Sequence, residues 1–413
     1  MDIGQQVDLE ITSLVYRGNG LARKDGLVVF VPHVAPGERV TAEIVRVRKN
    51  YAEARLVAVY ASSPDRISPC CIRSDGTSVP GCVYDHLAYP AEVAVKNGQL
   101  LDMLRRLPGC AGVEADPPFA SPLSLHYRNK IVLHARRPRG TPAETLGEPP
   151  ILGYLAEDNR TVIDIPQCPL ARAPINEALA RFRDGPSFRQ LAHGDDVTFR
   201  WTSADGVKSW VGRPPKDLTL TETSPAGPLT VPADGFYQVN PEVGYALVRQ
   251  IAEWYAAARP GVCDVLDLYC GVGVFGLACA AVGARNLLGV ESGRGAVAAA
   301  QANAAALNLA GAFHCVSVAQ AASQRFGGID CAQAVVIADP PRDGFEPKVA
   351  AALVRASPAR IFYVSCDPAT LCRDLKTLLA GGYRISGVRM FDMFPRTAHF
   401  ESAVALTRAP ACG

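Results

Sequence analysis

The chain has 413 residues, with 42 Lys and Arg against 40 Asp and Glu for a formal net charge of +2; that length supports two or three domains, each with its own core. The near-neutral balance excludes a strong overall field for polyanions, so any grip on nucleic acid has to come from local patches of Arg and Lys. Thirteen cysteines, an odd number, suit a reducing compartment better than a disulfide framework; the polar start Met1-Asp2-Ile3-Gly4-Gln5-Gln6 lacks the order of a signal peptide, and no run approaches the ~20 apolar residues of a membrane span, so a soluble cytoplasmic protein is expected.

Residues 1–60 alternate apolar and polar side chains between turns at Gly18-Asn19-Gly20, Lys24-Asp25-Gly26 and Ala35-Pro36-Gly37-Glu38. That pattern predicts a small antiparallel barrel. Arg46, Arg48, Lys49, Tyr51 and Arg55 can offer phosphate contacts and a stacking face, or form an ordinary solvated strand face. Residues 61–90 read as a loop with Pro64, Pro69, Pro80 and Pro90 and three cysteines, Cys70, Cys71 and Cys82. Helical spacing runs from Glu92 to Leu107, where Leu100, Leu101, Leu104 and Leu107 make an apolar stripe of core character. Residues 118–232 predict a second β-rich unit, with strands near Ile131–Ala135, Ile151–Leu155, Thr161–Ile165 and Asp196–Trp201. Its most basic stretches are Tyr127-Arg128-Asn129-Lys130 and Arg136-Arg137-Arg139.

From about residue 236, strands alternate with alanine-rich helices, including Ala296–Leu309, in the manner of a doubly wound sheet. Three strands end in groups suited to a ligand. Val265-Leu266-Asp267-Leu268 breaks into Tyr269-Cys270-Gly271-Val272-Gly273, where glycines allow close approach to the backbone. Asn286–Val290 ends at the carboxylate of Glu291, and Val335–Ala338 ends in Asp339-Pro340-Pro341-Arg342. A fourth apolar run, Ile361-Phe362-Tyr363-Val364, turns through Ser365-Cys366-Asp367 into Pro368, a residue that opens a helix without losing a hydrogen bond. Ligands of open α/β sheets bind outside the carboxyl ends of the strands, which places Cys366 at a crevice; the plain alternative is a core thiol.

These motifs together, with Phe236-Tyr237-Gln238-Val239-Asn240 ahead of the fold and Asp392-Met393-Phe394-Pro395-Arg396-Thr397 leading to His399 and Glu401, resemble the S-adenosylmethionine-dependent RNA 5-methyluridine methyltransferases of bacterial 23S ribosomal RNA and transfer RNA. The resemblance covers residues 236–406, and residues 1–60 resemble a TRAM domain, an RNA-binding module of oligonucleotide-fold type. It implies a multidomain α/β chain: a TRAM-like barrel over 1–60, a cysteine-bearing loop and central β-rich RNA-binding insert over 61–235, and a Rossmann-like class I methyltransferase domain over 236–413. It further implies Cys366 as nucleophile, Glu401 as general base, and Gln238, Tyr269, Glu291 and Asp339 as contacts to S-adenosylmethionine. Val274 stands where relatives often carry asparagine, so one polar donor contact is replaced. Arg342 after Asp339-Pro340-Pro341 favours uridine over cytosine or an amino group as target.

The ribosomal RNA branch of that family carries a four-cysteine [4Fe-4S] motif, and this chain departs from it. Val79 occupies the second cysteine's place in Val79-Pro80-Gly81-Cys82, while Cys70 and Cys71 precede it and Cys168 answers the fourth. Cys70, Cys71, Cys82 and Cys168 are expected to hold iron, with zinc or a vestigial site as alternatives. These cysteines favour ribosomal over transfer RNA as partner. A monomer with no obligate protein partner is expected. A non-catalytic RNA-binding scaffold is the rival reading, and it need not bind the methyl donor.

Overall fold

The computed structural model describes residues 1–413 except 74, 75, 77, 138–148, 157, 259–263, 329 and 409–413; Arg139 therefore lies outside the described residues. Strands β1 (Gln6–Glu10), β2 (Ser13–Leu14), β3 (Gly20–Lys24), β4 (Leu27–Val31), β5 (Arg39–Val47) and β6 (Tyr51–Ala61) form one sheet in the order β1-β5-β6-β4-β3-β2. β1 and β2 are two halves of a single strand bent at Ile11 and Thr12. The first half pairs with β5 and the second with β3, so Ile11 and Thr12 bring the two ends of the strand order together in a barrel-like curl. Inward residues alternate along β1, where Val7 and Leu9 are buried between exposed neighbours.

Helix α1 (Tyr89–Arg105) starts with Pro90 in its first turn and buries Val93, Leu100 and Leu104. Those residues join the core of the C-terminal sheet, so the apolar stripe serves the catalytic unit and not the insert that follows it in sequence. The insert contains β7 (Lys130–Arg136), β8 (Ile151–Leu155), β9 (Val162–Asp164), α2 (Ala173–Asp184), α3 (Pro186–Arg189), β10 (Asp196–Thr202) and β11 (Gly206–Val211), with antiparallel order β11-β10-β7-β8-β9. The strands fall where the alternation put them, and α2 and α3 cover one face through Ile175, Leu179 and Phe188. Hairpin β12 (Thr219–Ser224) and β13 (Gly227–Pro232) leads onward, its Thr230 backbone bonded in both directions to the Asn303 side chain.

The C-terminal unit comprises α4 (Pro241–Ala258), β14 (Asp264–Leu268), α5 (Val274–Ala281), β15 (Asn286–Glu291), α6 (Arg294–Ala306), β16 (Ala312–Cys315), α7 (Val318–Ser323), β17 (Ala334–Ala338), α8 (Pro347–Ala356), β18 (Arg360–Ser365), α9 (Pro368–Ala380), β19 (Tyr383–Phe391) and β20 (Glu401–Arg408). Its strand order is β16-β15-β14-β17-β18-β20-β19, parallel from β16 to β18, with β20 antiparallel to both neighbours. β14, β17 and most of β18 are buried on both faces, as continuous apolar runs require. The order reverses between β14 and β17, and such switch points open a crevice at the carboxyl ends of the strands. Because β20 runs the other way, its first residue, Glu401, lies at that same edge. Among the described residues no helix is long and apolar enough to cross a membrane.

Candidate active site

The turn after β14 is built for close approach. Tyr269, Gly271 and Gly273 all have positive φ, and Gly273, at 87°, caps α5 in a conformation that disfavours other residues. Gly276 lets the helix start pack onto Asp267: its amide donates to Oδ2 at 2.8 Å, and an added Cβ would stand 2.9 Å from that oxygen and 2.6 Å from Leu287. Asp267 is fully buried, and burial, with the charges of Asp339 and Glu291 adding to it, pushes its carboxyl up to about 8.

Beside this turn lies a cleft lined by Phe236, Tyr237, Gln238, Tyr269, Val272, Val274, Phe275 and Asp339 among others. Aromatic and aliphatic walls with a few polar groups suit an amphiphilic small molecule. Gln238, Tyr269 and Asp339 therefore share one cavity. Glu291 is placed differently, since its Oε2 accepts from the Gly271 amide at 3.2 Å and its Oε1 from the Gly293 amide at 2.7 Å. It braces the glycine turn and is half-buried at the next strand end. Sequence reading missed Phe236, which is 74% exposed at the rim, and Val272 and Phe275 in the wall; an aromatic pair directly before Gln238 was the available signal. Val274 does line the cleft.

On the other side of Asp339, β18 delivers Cys366. Ser365 stands opposite Ser402 in the antiparallel ladder, so the next position along each strand puts Cys366 across from Glu401. The Ser402 hydroxyl donates to the Ser365 carbonyl at 3.1 Å and pins this register. Asp367 caps α9 by accepting from the amides of Ala369 at 2.8 Å and Thr370 at 3.1 Å, which fixes the turn that holds the thiol. Cys366 is half-buried, and burial with the charges of Glu401 and Asp339 pushes its thiol up to about 12, opposed by Arg342. Burial, then Asp339, also raises the carboxyl of Glu401 well above its usual range, and its Oε2 has no hydrogen-bond partner. Burial and the nearby Arg342 push His399 down to about 4.

The segment before Glu401 is anchored from elsewhere in the chain. Lys96, wholly buried, donates to Glu92 at 2.7 Å, to Asp392 at 2.8 Å and to the Phe394 carbonyl at 3.1 Å. Arg396, with φ of 68°, donates to the Leu87 carbonyl at 2.7 Å, and its own amide donates to Glu92. Tyr16 of the barrel donates to Asp367 at 3.3 Å and meets Phe400 edge-on.

Two basic groups of the insert are engaged within the protein. Arg137 is buried and donates to the Leu191 carbonyl at 2.7 Å, and the Arg128 guanidinium lies over the rings of Tyr127 and Phe394. In the barrel, Arg55 pairs with Glu43 and Arg46 with Glu53, while Tyr51 packs edge-on against Phe30. Arg48 and Lys49 stay exposed at the turn between β5 and β6.

Cys70, Cys71, Cys82 and Cys168 gather in the apolar cluster of the insert, with Val79 packed among them. The adjacent thiols of Cys70 and Cys71 do meet. A hydrogen bond to Cys71 and then burial raise Cys70, and Cys71 in turn contacts Cys82. The Tyr154 hydroxyl donates to Cys168 at 3.3 Å. Four soft sulfur donors suit a metal–thiolate group in number and chemistry, but among the described residues no three of these sulfurs lie within 4.8 Å of one another.

Comparison with known proteins places this geometry. Residues 230–409 match the family model described as tRNA (uracil-5-)-methyltransferase, and residues 2–57 match the TRAM domain. A 23S rRNA (uracil(1939)-C(5))-methyltransferase of Shewanella amazonensis is 31% identical over 440 residues, covering 97% of this chain and 95% of that protein. An RNA methyltransferase of Gloeobacter violaceus is 30% identical over 460 residues, covering 98% and 97%. The fold matches that of Pyrococcus abyssi tRNA (uracil-54, C5)-methyltransferase, solved with S-adenosyl-L-homocysteine, at a TM-score of 0.72 and 24% identity over 97% of this chain and 99% of that one. With relatives aligned from end to end and both family models matched in their expected places, the chain belongs to the S-adenosylmethionine-dependent RNA uracil-5 methyltransferases that carry an N-terminal TRAM domain.

Proposed function

We propose that this enzyme makes 5-methyluridine in RNA, in 23S ribosomal RNA rather than transfer RNA, by way of a covalent bond between Cys366 and the target uracil. The observation that carries this reading is the register of β18 and β20, which sets Cys366 across from Glu401 beside the cleft containing Asp339. Carbon 5 of uracil is too weak a nucleophile to take a methyl group unaided, and addition of a thiolate to carbon 6 divides the barrier into smaller ones. S-adenosylmethionine, when bound, supplies an electrophilic methyl group; Gln238, Tyr269 and Asp339 in the cleft, with Glu291 bracing its glycine turn, are the residues that would hold it. Cys366 gives up its proton to solvent and its thiolate bonds to carbon 6 as the carbon 5–carbon 6 π bond opens, which places the electron pair on carbon 5. Carbon 5 bonds the methyl group as the donor's sulfur–methyl bond breaks. Glu401 then takes the proton from carbon 5, and the carbon 6–sulfur bond breaks to free Cys366. Burial raises the proton affinity of Glu401, so once deprotonated it is the stronger base for that step.

The chain divides in this reading into an RNA-binding barrel at 1–60, a loop and cradle at 61–235 and the catalytic unit at 236–413. The ribosomal choice rests on the 23S enzyme among the relatives and on the cysteine group, which we assign a structural iron cluster. Protein purified without oxygen should then hold iron and absorb in the visible; a colourless protein free of both iron and zinc removes that assignment. The central test uses RNA containing 5-fluorouridine, whose fluorine cannot leave as a proton. The native chain should form a denaturation-resistant adduct and Cys366→Ala should form none; an adduct with the alanine variant would assign the nucleophile elsewhere.

A further inference from the structure

We propose that His33, Asp85 and His86 hold a divalent transition cation, zinc foremost, that clasps the barrel to the cysteine loop. His86 is 1% exposed, and its Nε2 lies 3.0 Å from the carbonyl oxygen of Val34. A carbonyl only accepts, so Nε2 donates to Val34 and Nδ1 is the ring atom left to face Asp85. Nδ1 stands 3.8 Å from Oδ1 of Asp85, beyond hydrogen-bond reach. Both atoms are buried without a hydrogen-bond partner. Two buried polar atoms left without partners in a dry site are costly, and a cation bound between them would satisfy both.

The third group is His33, on the loop after β4 with φ of 59°. One donor atom from each of the three residues lies within 4.8 Å of the others. Two imidazoles and a carboxylate suit zinc, and the exposed side of His33 leaves a position for water. Each buried residue is also held through its other polar atom, His86 by Val34 and Asp85 Oδ2 by the Ser78 hydroxyl at 2.8 Å, the outer bonding that metal ligands characteristically have. Tetrahedral ligands on bonds of about 2.1 Å sit roughly 3.4 Å apart, so only a modest contraction is needed. The clasp has a route to the active site, because the amides of Val83 and Tyr84 donate to the Arg396 carbonyl at 2.9 and 3.1 Å.

The test takes the full chain stripped by chelator and titrates it with zinc and with cobalt, in the native form, in His33→Asn and in Cys82→Ser combined with Cys168→Ser. Asparagine tolerates the left-handed backbone at position 33, so that variant should fold. The native chain and the serine variant are expected to bind one cation tightly at a site whose cobalt spectrum lacks thiolate charge transfer, and zinc should raise the melting temperature. His33→Asn should lose that cation by at least about 100-fold in affinity. Equal affinity in His33→Asn, thiolate charge transfer as the only cobalt signal, or no cation bound by the native chain would overturn the proposal; in the last case a proton bridges Asp85 and His86.

Discussion

At Cys366 the protein's own electrostatics oppose the proposed chemistry. Burial, Glu401 and Asp339 together hold the sulfur as a thiol, with only Arg342 acting against them. An acid whose proton affinity is raised stays neutral below its shifted value, so the thiolate fraction should climb about tenfold per pH unit with no plateau until the thiol titrates. Alkylation of Cys366 by iodoacetamide, followed by mass spectrometry between pH 7 and pH 10 without RNA, should show that slope. A plateau near pH 8 would mean that the free enzyme already holds a thiolate. A thiol held protonated is also less open to oxidation than a thiolate. For Glu401 the corresponding expectation is that Glu401→Gln still permits addition and methyl transfer but not release, so a methylated covalent complex builds up on ordinary RNA. Ordinary turnover by the glutamine variant would exclude Glu401 as the base.

Helix α1 shows how a peripheral element serves the site. Lys96 sits wholly buried between Glu92 and Asp392 and also reaches the Phe394 carbonyl, so one ammonium ties α1 to the segment that leads into Glu401. Removing one member of a buried ion group costs about 3–5 kcal/mol, because the other charges remain without compensation. Lys96→Met should lower stability by roughly that amount in denaturant titrations, with loss of activity; an effect below about 1 kcal/mol would show that water replaces the ammonium. The helix itself was legible in the sequence, since Leu100 and Leu104 repeat at helical spacing and are buried as expected. The burial of Lys96 was not, because its partner Asp392 lies 296 residues away. The same distinction divides the site. The strand-end positions of Tyr269 and Asp339 were readable because each directly follows a largely apolar run, and that of Cys366 because only Ser365 separates it from one. The pairing of Cys366 with Glu401 depends on β20 entering antiparallel between β18 and β19, which no local pattern carries. The burial of Arg137 has a related cause: its partners include the carbonyls of Leu191 and Arg189, which are brought to it only by the insert's fold.

In the whole molecule, the barrel is joined to the catalytic unit closely enough for Tyr16 to reach Asp367 in the turn that holds Cys366. RNA held on the barrel therefore starts beside the reactive thiol. With a net charge of only +2, that hold has to be local. Within the barrel the cations are not equivalent: Arg46 and Arg55 face Glu53 and Glu43 on neighbouring strands, which cancels much of their field, whereas Arg48 and Lys49 project from the turn between β5 and β6. Each phosphate contact to single-stranded RNA contributes about 0.7 to the slope of log affinity against log salt. Replacing both Arg48 and Lys49 with glutamine should therefore lower that slope by about 1.4, while the same change at Arg46 and Arg55 should lower it far less. Filter binding of a stem-loop RNA over a range of salt concentrations measures both slopes, using Cys366→Ala as the parent so that no covalent complex forms. If the two pairs reduce the slope equally, the acidic partners do not shield Arg46 and Arg55, and the RNA follows the whole strand face rather than the turn. If neither pair changes it, the barrel does not grip the phosphates of that RNA, and the electrostatic contact has to be sought on the insert.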